Sequence, residues 1–432
     1  MRYSVGDLPA LVRTPLGRSQ LGWGVYHRAW PLLRPIATLY RRTLVGDTRV
    51  VAVAGSLGKT TTARAVTAAL GRQPQPRIEF NSWSALAEAV LRIQPHDRHA
   101  VIEVSLSRPG QVAPYLRLLR PDLVVVTSIA SEHNRSFRTL EGARAEKAKM
   151  VRGLAPTGLA VLNGDDPHVL WMAEQTCARV MTFGFGEGND VRASEMALDW
   201  PRGTGFTLHV GGETRSVRIR LLGRPGVHAV LAAVAVALAE GFTLDQALPA
   251  LEALPPTPGR LQPLQLANGA FLLRDDYKSA LETIDSALDL LAEVPARRRV
   301  VVLGDVSEPP GSQGPIYRRL GERVGQIAAR AIFVGGNFQR YWVGAKQAGL
   351  PRNASFDAGT SVLRAAEVVR ADLGPGDVVL IKGRDTQRLD RVVLALAGRR
   401  VGCTIKFCDV VRTRCDECPM LERGWNGLRV MF

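Results

Sequence analysis

The sequence predicts an α/β protein built on two mostly parallel sheets, the second in a smaller, Rossmann-like domain. Three observations carry that expectation. Short β-branched runs alternate with helix-length amphipathic segments from about residue 49 to residue 400. The stretch LPPTPG at 254–259 breaks both periods and divides the alternation into two blocks. The chain also has 432 residues, too many for one compact core.

Taken in order, residues 1–48 stand apart. They are rich in Arg, carry Trp23, Tyr26, Trp30 and Tyr40, and hold no acidic residue between Asp7 and Asp47. Such a basic aromatic segment suits either an anionic membrane surface or a helical pair packed on the next domain. In the block 49–258, VVAVAG (50–55), AVIEVS (100–105), DLVVVTS (122–128) and GLAVLN (158–163) read as buried parallel strands. Continuous apolar runs of this kind are what a sheet covered on both faces requires. Helices over 60–70 and 140–153 supply the crossover connections. The block 259–400 repeats the order: AFLLRDD, a helix over 280–292, RRVVVLGD, a helix over 316–329, RAIFVGG, a helix over 361–371, and DVVLIKG. A Cys-containing tail occupies 401–432.

Composition narrows the function classes. Apolar residues make up 46% and charged residues 22%, with 42 Gly and 26 Pro dispersed, which excludes wholesale disorder, collagen-like repeats and a disulfide mini-protein. The formal charge is +16, yet only seven of the 56 basic residues are Lys. A chain that uses Arg wherever any cation serves keeps Lys where a primary amine is needed. Lys59, Lys147, Lys149, Lys278, Lys346, Lys382 and Lys406 are therefore marked positions. The longest apolar run, 229–239, is shorter than the roughly 20 residues that span a bilayer. The N-terminus lacks an export signal, and the five Cys form no disulfide framework. A cytoplasmic setting is expected, with the membrane surface as the variant that segment 1–48 suggests.

The strand VVAVAG runs into Gly55-Ser56-Leu57-Gly58-Lys59-Thr60-Thr61, which opens a helix. A strand that turns through glycines into a helix N-terminus points backbone N–H groups and the positive dipole end at one spot, and phosphate fits there. Lys59 would reach the β- and γ-phosphates, and the Thr60 hydroxyl would face Mg²⁺. Val53 stands where the full Walker pattern has its first Gly. The block 49–258 is thus expected to be a central P-loop ATPase domain.

From this loop onward the sequence resembles the Mur ligases, ATP-dependent enzymes that join a carboxylate to an amine, and their folylpolyglutamate synthetase relatives. Gly55 to Thr61 match the family loop G-[ST]-x-G-K-T-[ST]. The segment 124–167, VVVTSIASEHNRSFRTLEGARAEKAKMVRGLAPTGLAVLNGDDP, resembles the family's strand, His-bearing loop, Lys-bearing helix and Asn-x-Asp-Asp-Pro turn, in order. VVVLGDVSE and VVLIKGR resemble stretches of the branch that adds D-alanyl-D-alanine to the muramoyl tripeptide. The resemblance implies a central ATP-binding domain, 49–258, and a C-terminal domain, 259–400. It implies an ATP- and Mg²⁺-dependent ligase acting through an acyl phosphate, with Lys59, Lys147, His133 and Lys382 in catalytic positions. Gly55, Ser56, Gly58, Lys59, Thr60, Thr61, Asn163, Asp165, Asp166, Arg260 and Asp276 would contact the nucleotide. Thr60, Glu103, His133 and Lys147 as a carbamate would hold metal, with Lys149 as the alternative carbamate position. A carbamate needs a neutral primary amine, which burial supplies and Arg cannot.

Departures from the family pattern are equally definite. The family's G-x-H-N-x-x-N reads Gly226-Val227-His228-Ala229-Val230-Leu231-Ala232, and its D-D-S-Y-N-A-N-P reads Asp275-Asp276-Tyr277-Lys278-Ser279-Ala280. Residues 1–48 are few for the usual UDP-sugar domain, so a non-standard carboxylate, small or polymer-linked, is expected beside an amino acid or peptide amine. In the tail, Cys403, Cys408, Cys415 and Cys418 have the number and C-x2-C turn of a zinc site, with unligated thiols as the other reading. Two further functions compete with a ligase: a nucleotide-binding relative that no longer ligates, and a basic P-loop ATPase that binds nucleic acid.

Overall fold

The computed structural model describes residues 12–13, 15–74, 81, 83–408, 410 and 413–423. Parts of the expected segments 1–48 and 401–432 therefore lie outside the described residues. The chain divides into two units, Val25–Pro255 and Pro256–Phe432 joined by Met1–Gly24, and the division falls within LPPTPG.

The first unit carries an eight-stranded sheet of order β2-β1-β3-β4-β5-β6-β7-β8. Its strands are β1 (Arg49–Ala54), β2 (His99–Glu103), β3 (Leu123–Val126), β4 (Leu159–Asn163), β5 (Arg179–Gly184), β6 (Val191–Asp199), β7 (Gly203–Val210) and β8 (Glu213–Ile219). Pairing is parallel from β2 through β6. It turns antiparallel for β6, β7 and β8. Only β1 to β4 are evident as apolar runs, because the later strands interleave polar residues and face solvent on one side. Gly211 and Gly212, both at positive φ, make the turn between β7 and β8 and are its clearest sequence mark. The helices Lys59–Ala69 and Leu140–Arg152 fall where the pattern places them. The apolar run 229–239 lies in helix Gly223–Ala239, a core element against one face of the sheet.

Two helices, Pro15–Arg28 and Trp30–Thr43, precede β1. The second places Trp30, Leu33, Ala37 and Tyr40 against the core on the opposite face of the sheet. Its buried Arg41 donates to the carbonyl oxygens of Leu119 at 2.9 Å, Val45 at 2.6 Å and Gly46 at 3.0 Å.

The second unit carries a six-stranded sheet of order β13-β12-β11-β14-β10-β9. Its strands are β9 (Gln262–Gln265), β10 (Phe271–Asp275), β11 (Arg298–Leu303), β12 (Arg330–Phe333), β13 (Ser355–Asp357) and β14 (Asp377–Lys382). All pairs are parallel except β9 with β10. Helices Leu281–Glu293, Gln313–Ile327 and Val362–Arg370 match the expected positions within a few residues. Helix Phe338–Gln347 is additional. A Gly in its interior weakens its propensity, but Gly344 has a packing reason. A Cβ there would collide with the Arg318 carbonyl oxygen, and one on Gly321 would collide with that of Tyr341. The two helices thus meet backbone to backbone. Gly344→Ala is expected to lower stability by about 2–3 kcal/mol in urea unfolding. Gly336→Ala, which meets open space, should change it by less than about 0.5 kcal/mol.

Candidate active site

The site of the first unit begins where β1 ends. Gly55 has φ +135°, and a Cβ on it would collide with the Thr127 hydroxyl. Gly58, at φ +83°, precedes the helix Lys59–Ala69. Both positions favour glycine. The loop is fastened to the segment that follows β3. Ser56 N donates to Ser128 O at 2.7 Å, Leu57 N donates to Ser128 Oγ at 2.9 Å, and Thr127 Oγ1 donates to Leu57 O at 2.6 Å. Thr60 is half-buried in the first helical turn, followed by Thr61.

Two lysines converge on this loop. Lys59 is buried, and its Nζ donates to Gly55 O at 3.1 Å, Ser56 O at 2.6 Å and Glu132 Oε2 at 3.1 Å. Lys147, 1% exposed, donates from Nζ to Ser56 Oγ at 3.2 Å and lies 5.1 Å from the Phe137 ring centre. Burial, reinforced by the Lys59 charge, pushes the Lys147 amine down to about 7. Lys149 projects elsewhere and pairs with Glu146 at 2.5 Å. Glu132 was not among the residues expected at the site. The signal for it was an acid directly after an apolar strand and its loop, beside the His that drew the attention.

Glu103, at the end of β2, accepts from Asn81 Nδ2 at 2.6 Å. His133 has φ +62°, and its Nε2 is 3.9 Å from Glu132 Oε1. The turn after β4 has internal duties. Asn163 donates to Thr127 O at 2.8 Å, while Asp166 caps the helix Pro167–Leu170 and accepts from Ile129 N at 2.8 Å. Asp165 accepts from Phe185 N and Gly186 N and pairs with His228 at 2.8 Å. Those hydrogen bonds hold its carboxyl well below the usual range despite burial. His228 meets the Phe185 ring edge-on at 4.9 Å, and the Arg224 guanidinium covers that ring at 3.8 Å. Ala229 and Ala232, in place of the family's Asn, are packed into the core.

The metal expectations fare differently. Among the described residues, no group of three or more His, Cys, Asp or Glu is placed to hold a metal ion. Magnesium does not need such a group, since it is usually held by one or two carboxylates, substrate phosphates and water. The oxygen donors Thr60 and Glu103 suit it. A structural zinc site does need four converging ligands, and the expectation of one finds no support among the described residues. Cys403, Cys408, Cys415 and Cys418 line one small cavity together with Arg388 and Arg391, without a metal-binding arrangement. Arg391 bonds the carbonyl oxygens of Cys403 at 2.9 Å and Ile405 at 2.7 Å, so arginine organises the tail. Burial pushes the Cys415 and Cys418 thiols up, towards the neutral form.

In the second unit, Lys382 is fully buried and its Nζ lies 2.5 Å from Asp275 Oδ2. Burial lowers that amine from its ordinary value, while the Asp275 carboxylate beside it works in the opposite direction. Asp276 is buried beside Arg274 at 3.1 Å, and its burial raises the carboxyl above the ordinary value. The Arg260 guanidinium stacks on the Tyr277 ring at 4.7 Å.

Comparison with known proteins agrees with this architecture. Residues 53–237 match the Mur ligase middle domain, and residues 259–384 match the Mur ligase, glutamate ligase domain. The UDP-N-acetylmuramoyl-tripeptide–D-alanyl-D-alanine ligase of Escherichia coli is 32% identical over 279 residues, 63% of this chain and 61% of that protein, which is less than two thirds of its length. The Mycobacterium tuberculosis enzyme of the same name is 29% identical, over 84% of this chain and 76% of its own. Among solved structures, MurF from Acinetobacter baumannii superposes with a TM-score of 0.76 at 23% identity, covering 86% of this chain and 81% of its own. MurF ligase from Thermotoga maritima in complex with ADP gives 0.73 at 21% identity, covering 86% and 84%. At those identities the structures speak to the fold alone. The two domain models together span more than half of the sequence, and the chain belongs to the Mur ligase family.

Proposed function

We propose that the chain is an ATP-dependent carboxylate–amine ligase that forms an amide through an acyl phosphate. The observation that carries this reading is the buried Lys147 amine, bonded to the phosphate loop through Ser56 and beside Lys59. A pure nucleotide-binding module has no need of an expensive buried amine there.

In the proposed reaction a substrate carboxylate oxygen attacks the γ-phosphorus, the bond to the β-phosphate oxygen breaks, and ADP leaves. The amine nitrogen then attacks the acyl carbon and loses a proton, and inorganic phosphate departs. The chain's part is positioning and charge neutralisation. Loop N–H groups and Lys59 would receive the phosphates, with Glu132 holding Lys59 until they arrive. Lys147 Nζ, with its lone pair free, would add to CO₂ and release a proton to give a carbamate. The charge on Lys59 that depresses the amine favours the resulting anion. Thr60, Glu103, His133 and the carbamate would hold Mg²⁺, which supplies charge neutralisation at the transferred phosphoryl group. The Phe185, His228 and Arg224 cluster at the ends of β4 and β5 offers an aromatic and a cationic face to a nucleobase.

The names of the relatives support D-alanyl-D-alanine as the class of amine and a UDP-N-acetylmuramoyl-tripeptide as the class of carboxylate. The second reading, nucleotide binding without ligation, rests on Ala229 and Ala232 in place of asparagine. Phosphate release separates the two. A ligase releases phosphate only with both substrates present, and release indifferent to them would defeat the proposal.

Lys59→Ala is expected to lower ATP turnover by about 10³-fold, read as phosphate release. In CO₂-depleted buffer the wild type should lose activity and recover it with bicarbonate. Lys147→Ala should be down about 100-fold in either buffer, and full activity in that variant would remove the carbamate. Stability offers an independent check in CO₂-depleted buffer. Because the folded amine titrates near 7 rather than 10.5, the unfolded chain binds the extra proton between those values and stability rises with pH. Relative to Lys147→Met, the wild type should gain about 1 kcal/mol per pH unit from roughly pH 7.5 to 9.5 in urea melts.

A further inference from the structure

We infer that helix Trp30–Thr43 docks the first unit on an anionic phospholipid surface. The helix has two apolar faces where a surface helix of a globular protein has one. Trp30, Leu33, Ala37 and Tyr40 cover the core. Leu32, Ile36 and Leu39, spaced i, i+4, i+7, form a second stripe within about a 60° arc, and they are 71%, 57% and 64% exposed. Val25 and Leu44, at either side of the helix, are exposed as well. Scattered exposed apolar residues are ordinary, but Leu32, Ile36 and Leu39 share one face of one helix and make a stripe.

The charge beside the stripe selects the occupant. Arg34, Thr38, Leu39 and Arg42 line a shallow open groove with Pro114 and Arg117. Arg28, Arg34, Arg42 and Arg117 are exposed, and among the described residues none of the four meets a carboxylate. No acidic residue occurs in the sequence from 8 to 46. An apolar stripe with a cationic flank is the pattern of a helix lying in a membrane interface, its side chains among the acyl chains and its guanidinium groups at the lipid phosphates. A second protein copy would bring the same cations against one another. The inference is independent of the ligase reading, since it uses neither the phosphate loop nor Lys147.

The test is flotation of the full-length protein with phosphatidylcholine vesicles containing phosphatidylglycerol, against vesicles of phosphatidylcholine alone. The wild type should float with the anionic vesicles, and high salt should release it. Leu32→Ser/Ile36→Ser/Leu39→Ser and, separately, Arg34→Gln/Arg42→Gln/Arg117→Gln should each cut the bound fraction about tenfold, with melting temperatures at or above that of the wild type showing that both fold. Wild-type protein that stays at the bottom of the gradient, or that floats equally with neutral vesicles, would overturn the assignment. So would light scattering that shows a dimer dispersed by the Leu32→Ser triple variant, because a second copy would then own the stripe.

Discussion

The hydroxyl of Ser56 is the point on which the site of the first unit depends. It accepts a hydrogen bond from Lys147 Nζ and from Ala130 N, while its backbone N–H is tied to Ser128. Three separate stretches of chain, the turn after β1, the segment after β3 and the helix Leu140–Arg152, are thereby held at one place. Two cationic side chains cannot share a dry pocket at low cost. Glu132 answers the charge of Lys59, and burial pushes the Lys147 amine towards neutrality. The electrostatic conflict that would weaken an ordinary core leaves here an amine of lowered basicity beside the glycine loop, and the proposed carbamate rests on that pairing.

The sequence made some of this legible because its signals were local. Strands β1 to β4 are uninterrupted apolar runs, and the glycine-lysine-threonine turn has a fixed spacing, so each could be read within a short window. The scarcity of lysine marked Lys147, yet the choice between Lys147 and Lys149 depended on which face of a helix meets the loop. The structure separates them: one bonds Ser56 and the other Glu146. Strands β5 to β8 escaped because their polar, one-sided pattern resembles surface structure. Glu132 and the pairing of Lys382 with Asp275 escaped because they join residues 73 and 107 positions apart. Helix Phe338–Gln347 escaped because Gly344 argues against a helix until its neighbour is known.

The arginine surplus acquires a structural meaning. Arg41, Arg388 and Arg391 are buried and bond main-chain carbonyl oxygens, a task suited to a planar group with five donors. The cysteines of the tail, whose number suggested a metal, line one small cavity with two of these arginines, Arg388 and Arg391. The four share a cavity, yet among the described residues they do not form a group placed to hold a metal ion.

Arg41 has a consequence for motion. By gripping the carbonyl oxygens of Leu119, Val45 and Gly46, it welds the helix Trp30–Thr43 to the connections that lead into β1 and β3. The helix cannot swing like a tethered arm. A lipid surface that captured its outer stripe would therefore hold the first unit at a fixed tilt, with the phosphate loop at a set height. Diffusion of the docked unit would then take place in two dimensions instead of three.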